Sequence, residues 1–183
     1  FRFTDLKGLR LGTVAEVPTP WMCVQEDIRR AGVDPASLDR VDGETMASNA
    51  EALRAGRLDV VQLFEPYVEQ LVASGAGHIW YAAADRGPTS YTTLITTKEK
   101  LRREPDMALK MTRALAKTLT WLHGNSAEKV AELVASYFPD LPRATLTGAI
   151  ARYKALGVWG RDPLLSEVGF VRLKLGLLSG GFI

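Results

Sequence analysis

Residues 51–67 read EALRAGRLDVVQLFEPY, and the order of residue types in this stretch decides the class of fold. Its first part ends a helix predicted over residues 44–55, with Met46, Ala50 and Leu53 as apolar positions and Gly56 as C-cap. Residues 58–64, LDVVQLF, are a short apolar run of strand length. Glu65-Pro66 then opens another helix, ending at Gly75, since proline in a first helical turn gives up no needed N–H.

Upstream the same order recurs. Residues 9–15, LRLGTVA, opened by Gly8, suit a buried parallel strand. Thr19-Pro20 reads as N-cap and first helical position of a helix that continues through Ile28 and stops at Gly32. Residues 39–42 give a second short strand. Downstream, residues 78–83 read as a strand, and after the Arg86-Gly87-Pro88 turn the β-branched and aromatic residues of 89–96 read as another. Strands alternating with helices at these spacings mean βαβ units and a mainly parallel sheet covered on both faces.

From Thr97 onward the pattern is helical. Thr96 and Glu99 have capping-box spacing, and Pro105 opens a long helix with Ala108, Met111, Leu115, Leu119 and Leu122 on one face. Asn125 and Glu128 repeat the capping spacing before Val130, Leu133, Val134 and Tyr137. Pro142 starts a helix with Leu146, Ile150 and Tyr153, and a last helix carries Val168, Val171, Leu175 and Leu178 before Ser179-Gly180-Gly181. Each apolar stripe must be buried against something. An α/β half followed by helices with no sheet of their own predicts a chain that needs cover it does not itself supply.

Composition narrows the function. The chain has 183 residues, 46% hydrophobic and 24% charged, ordinary for a globular protein. A net charge of +2 favours no acidic partner, and the basic run Lys98, Lys100, Arg102 and Arg103, without interleaved aromatics, reads as a solvated helix start; no nucleic acid is expected as a partner. Cys23 is the single cysteine, read as a structural thiol in an apolar stretch. No run approaches the ~20 apolar residues of a membrane span. No signal peptide is visible, and the first residue is Phe1 and not methionine, so a preceding segment is expected.

Catalytic signatures are missing. His78 and His123 have no cysteine or carboxylate at metal-ligand spacing; there is no Gly-x-Ser-x-Gly elbow and no phosphate loop, and Leu11-Gly12-Thr13 lacks the further glycines of a dinucleotide fingerprint. No metal, cofactor or catalytic residue is expected, and the chain is read as a non-enzyme. In an open parallel sheet, ligands collect at the carboxyl ends of strands, beside helix N-termini with unpaired N–H groups and partial positive charge. Three segments fall there: Val17-Pro18-Thr19-Pro20-Trp21, Glu65-Pro66-Tyr67 and Pro88-Thr89-Ser90-Tyr91. The candidate ligand-binding residues are therefore Thr19, Trp21, Glu65, Tyr67, Ser90 and Tyr91, a mixture suited to a small organic ligand, partly flat, with polar handles. Each has a structural alternative: Trp21 as a core ring, Glu65 as a dipole-favoured acid, Tyr67 covering a strand edge, Ser90 and Tyr91 as strand residues. Trp80 and Trp159 are assigned to the core.

At these residues the chain resembles a known family. Asp5-Leu6-Lys7-Gly8-x-Arg10-Leu11-Gly12 is similar to the opening of the second lobe in solute-binding proteins of the NMT1/THI5-like, SsuA-like group. Glu51 to Val60, followed by Phe64-Glu65-Pro66-Tyr67, resembles that family's L-x-x-G-x-I-D-A and W-E-P signature, and Tyr153 to Trp159 its closing helices. The resemblance implies an α/β fold of the type II periplasmic-binding kind: a parallel-rich lobe two at residues 1–96, and a helical part of an incomplete lobe one at 97–183. It further implies a periplasmic ABC-importer component that clamps a small molecule by hinge closure. Membrane permease subunits would be its partners, with self-association through the incomplete lobe. Glu65 disfavours an anion, so a pyrimidine-like thiamine precursor is the expected ligand, with sulfonate, taurine or nitrate as the alternative. Rival roles on the same fold are an enzyme of the thiamine-pyrimidine synthase branch, which uses a cysteine-rich motif and histidines, and a sensor module.

Overall fold

The computed structural model describes residues 2–183, which group into two compact units. One unit runs up to Ala83 and takes in Val171–Ile183; the other is Ala84–Phe170.

The first unit is a chain of βαβ steps. Strands β1 (Arg10–Gly12), β2 (Asp39–Val41) and β3 (Val60–Val61) form a three-stranded parallel sheet in the order β2-β1-β3. Leu11 stands opposite Arg40 on one side and Val60 on the other. Helices α1 (Thr19–Arg30), α2 (Met46–Arg54) and α3 (Tyr67–Ala73) follow the three strands in turn. The predicted αβ class and parallel order hold, with strands shorter than the apolar runs. Gly56 ends α2 as expected, at φ 65°, a conformation that strains any residue with a Cβ. Helix α1 begins one residue earlier than its sequence suggests: Pro18 is the N-cap and Thr19 is the first helical residue, so its hydroxyl caps nothing.

The core of this unit is Leu6, Leu11, Ile28, Val33 and Leu38, with Phe3, Trp21, Val24, Val60 and Trp80 packed on it. Trp80 therefore is core, as expected. Phe3 meets Trp80 and Tyr81 edge-on at 5.2 and 5.0 Å, and Tyr81 donates its hydroxyl to Asp27 at 3.0 Å. At the amino end of the sheet, Arg10 makes a two-pronged pair with Asp59 (Nε and Nη2 at 2.9 and 2.8 Å) and donates to the Gly56 carbonyl at 2.8 Å. Two residues of the family-like phrases thus lock β1 to the entry of β3.

Helix α8 (Glu167–Ser179) contributes its later turns to this unit. A Cβ at Gly176 would lie 3.7–3.9 Å from Glu26 and Cys23, ordinary contact distance, which places this turn of α8 against α1. Arg29 donates to the Ser179 hydroxyl at 2.9 Å.

The second unit is helical: α4 (Lys98–Arg103), α5 (Pro105–Gly124), α6 (Ala127–Val134), α7 (Arg143–Ala155) and the start of α8. Its core is Ala127, Val130, Ala131, Leu146 and Ile150, where α6 packs on α7, with Trp159 against it as expected and edge-on to Tyr153 at 5.6 Å. His123 Nε2 donates to the Gly160 carbonyl at 3.0 Å, a structural role. The caps fall one residue beyond the predicted ones: Thr97 accepts from Lys100 N–H and Ser126 from Lys129 N–H, while Asn125 instead donates to the Trp121 carbonyl.

Two predicted strands are absent among the described residues. Residues 78–82 have no ladder partner and 83–86 form a 3-10 turn; residues 89–96 are irregular. Strand propensity expresses packing on a pleated, half-buried surface. Leu94 and Ile95 have no such surface, standing 65% and 90% exposed.

Candidate functional site

Parallel pairing sets the carboxyl ends of all three strands on one edge of the sheet unit, and side chains that long-range contacts bring there pin the loops that leave it. Thr13, buried, extends β1 by one step, its N–H donating to the Val41 carbonyl at 3.2 Å. The Thr13 carbonyl accepts from buried Asn49 Nδ2 at 3.1 Å. Asn49 reaches it because residue 12 is glycine: a Cβ there would sit 2.8 Å from Asn49 Oδ1 and 2.6 Å from Leu58 Cδ1. Gln62, just after β3, donates its amide to the Pro20 carbonyl at 2.9 Å and accepts from Val14 N–H at 3.5 Å. It ties the β1 loop to the start of α1. Glu16 accepts from Met46 N–H at 2.8 Å at the first turn of α2, and that bond holds its carboxyl below the ordinary range.

Arg40 is the cation of this edge. Its guanidinium carbon lies 4.5 Å from the centroid of the Trp21 ring, Nη1 donates to Thr13 Oγ1 at 3.3 Å, and Nη2 pairs with Asp42. The ring quadrupole attracts a cation over its face, so Trp21 favours the guanidinium in this place.

Of the predicted site residues, Thr19 and Trp21 begin α1, and Tyr67 begins α3 with Glu65 just before it. All four are half-buried in the sheet unit. Since α1 and α3 follow the adjacent parallel strands β1 and β3, both helix starts lie at the same edge, where Gln62 ties the end of β3 to the start of α1. Trp21 both packs on the core and carries Arg40 on its face. Glu65, joined to Pro66 by a cis peptide, accepts from Glu69 N–H at 2.9 Å and so caps its own helix. Ser90 and Tyr91 belong to the helical unit. Ser90 N–H donates to the Gly169 carbonyl at 3.0 Å, and Tyr91 is 48% exposed.

Sequence reasoning missed Thr13, Arg40, Asn49 and Gln62. The one available signal was a polar residue at the end of an apolar strand run, Thr13 in LRLGTVA and Gln62 in LDVVQLF. Nothing local marks Arg40 or Asn49. Among the described residues no three His, Cys, Asp or Glu side chains converge as a metal site, and no helix is long and apolar enough to cross a membrane. The edge offers a fixed cation, a large ring, hydroxyls and a capped acid, which is the equipment of recognition.

The model of the NMT1-like family matches residues 2–136. Among curated proteins, the chain is 28% identical over 169 residues to "Putative binding protein YtlA" of Bacillus subtilis (strain 168). That match takes in 91% of this chain and 51% of the relative, so the chain spans about half the length of the curated protein it matches. No solved structure matches it.

Proposed function

Because the chain belongs to the NMT1-like family, we propose that it captures a small organic solute at the strand-end edge of its sheet unit, as the binding component of a bacterial ABC importer. The observation that carries this reading is the pinned edge itself, where Gln62, just after β3, bonds the first turn of α1 and the Arg40 guanidinium lies over the Trp21 ring. In this reading the protein works outside the cytoplasmic membrane, hands its solute to permease subunits, and releases it chemically unchanged. The name of the Bacillus relative supports a binding role.

The pyrimidine-like ligand rests on Glu65 meeting an amine, and the capping bond to Glu69 N–H weakens that support. The test is a thermal-shift screen against pyrimidines, sulfonates, nitrate and flavin-like compounds, followed by calorimetric titration. A true solute at a hundred times its Kd adds about 2.7 kcal/mol of stability. Alanine substitutions at Thr19, Trp21, Tyr67, Ser90 and Tyr91 then identify the side chains that touch it. Glu65→Gln weakens an amine-bearing solute without unfolding the protein; unchanged affinity removes Glu65 from the site. Failure of every compound in this screen, and of the carboxylates titrated below, to bind overturns the reading.

A further inference from the structure

We propose that Arg40 is the specificity-determining residue of this edge, receiving a carboxylate of the ligand, and that Asp42 occupies its place until the ligand arrives. The proposal rests on the solute-binding reading above and names the ligand chemistry for it.

Three observations carry it. First, Arg40 is held and not merely present. Its side chain is 26% exposed, its guanidinium lies over the Trp21 ring, and one nitrogen donates to Thr13, itself buried at the end of β1. A preorganised guanidinium loses little freedom when a ligand docks. Second, the guanidinium is under-used. It has five N–H donors, and among the described residues only Thr13 and Asp42 accept from it. Donors are left for the two-pronged geometry that carboxylates favour. The Arg10–Asp59 pair shows that geometry completed elsewhere in the same sheet.

Third, Asp42 meets Arg40 through a single oxygen on a side chain 62% exposed, two residues along the chain. Such a pair is worth roughly 0–1 kcal/mol, little enough for a ligand to displace. Among the described residues Asp42 is the one carboxylate that meets this guanidinium. Asp42 therefore marks where an incoming carboxylate sits.

The experiment uses the 183-residue chain, labelled with nitrogen-15, titrated with benzoate against benzamide and with indole-3-acetate against indole-3-acetamide. The Arg40 Nε–H and Trp21 indole N–H signals report the site, assigned through Arg40→Lys and Trp21→Phe. Saturable shifts with the acids, and affinities at least about tenfold weaker for the amides, are expected. Arg40→Gln removes the shifts; Arg40→Lys, which keeps the charge but not the fork, weakens them less. Asp42→Asn, which removes the competitor, tightens benzoate about threefold. Circular dichroism confirms that each variant is folded. Equal binding of acids and amides, or a benzoate affinity unmoved by Asp42→Asn, overturns the proposal. If a solute from the thermal-shift screen still binds then, only the role of Arg40 falls; if nothing binds at all, the solute-binding reading falls with it.

Discussion

Helix α1 of the sheet unit and helix α5 of the helical unit both carry an apolar stripe, yet the two stripes end differently. Ile28 on α1 is 0% exposed, sealed by Leu6, Leu11, Val33 and Leu38. On α5 only Leu119 is buried; Leu115 and Met111, one and two turns earlier, are 37% and 50% exposed. Val168, Val171, Leu175 and Leu178 of α8 are exposed too. A stripe expresses a demand for cover, and only a neighbouring element meets it. In the first unit β1, the segment before it and the segment between α1 and β2 cover α1. In the second, α6 and α7 satisfy each other and leave α5 largely uncovered.

The contrast is sharpest in truncation. Ile28→Ala is expected to cost about 3–4 kcal/mol in urea denaturation, the range for a sealed core side chain, while Leu115→Ala costs less than about 1 kcal/mol. Equal losses would show that α5 is covered in solution and would break the comparison. Asn49→Ala comes next. It strips the Thr13 carbonyl of its buried donor, and about 2 kcal/mol is expected, read as a lower urea midpoint at unchanged slope.

The paired change Met111→Glu and Leu115→Glu should move stability by no more than ~0.5 kcal/mol. It should, however, abolish concentration-dependent association in sedimentation velocity, since exposed apolar stripes of this kind drive self-association. An unaltered sedimentation profile would mean that this face is not the sticky one.

The smallest effect concerns acid. Arg10 holds the Asp59 carboxyl at about 2, below its usual 3.8, first through the side-chain bonds and then through its backbone N–H. A carboxyl lowered in the folded state lets the unfolded chain bind the proton first as pH falls. Its contribution to stability is therefore complete above about pH 4 and lost between there and about pH 2. Asp59→Asn should flatten the stability profile in that window and leave it unchanged at neutral pH apart from a constant offset. A slope that persists in the variant would place the acid sensitivity on other carboxylates.

What the sequence determined by itself was the set of elements governed by neighbours a few residues apart. The glycine after Ala55, the proline runs at Pro20, Pro66 and Pro105, and the helical periods from residue 97 each act within a turn or two, so α1 to α8 are legible with ends shifted by a residue or so. The family phrase was legible for the same reason, and two of its residues, Arg10 and Asp59, prove to lock the sheet. Tertiary structure alone decided the rest. Residues 78–83 and 89–96 have strand composition but no ladder partner, and no local rule supplies one. Arg40 meets Trp21 and Thr13, and Asn49 meets Thr13, across gaps of 19, 27 and 36 residues that only the parallel register of β1 and β2 and the seating of α2 close. Glu65 looked like a ligand acid until α3 folded against it, because a helix N-terminus competes for any carboxylate within its reach.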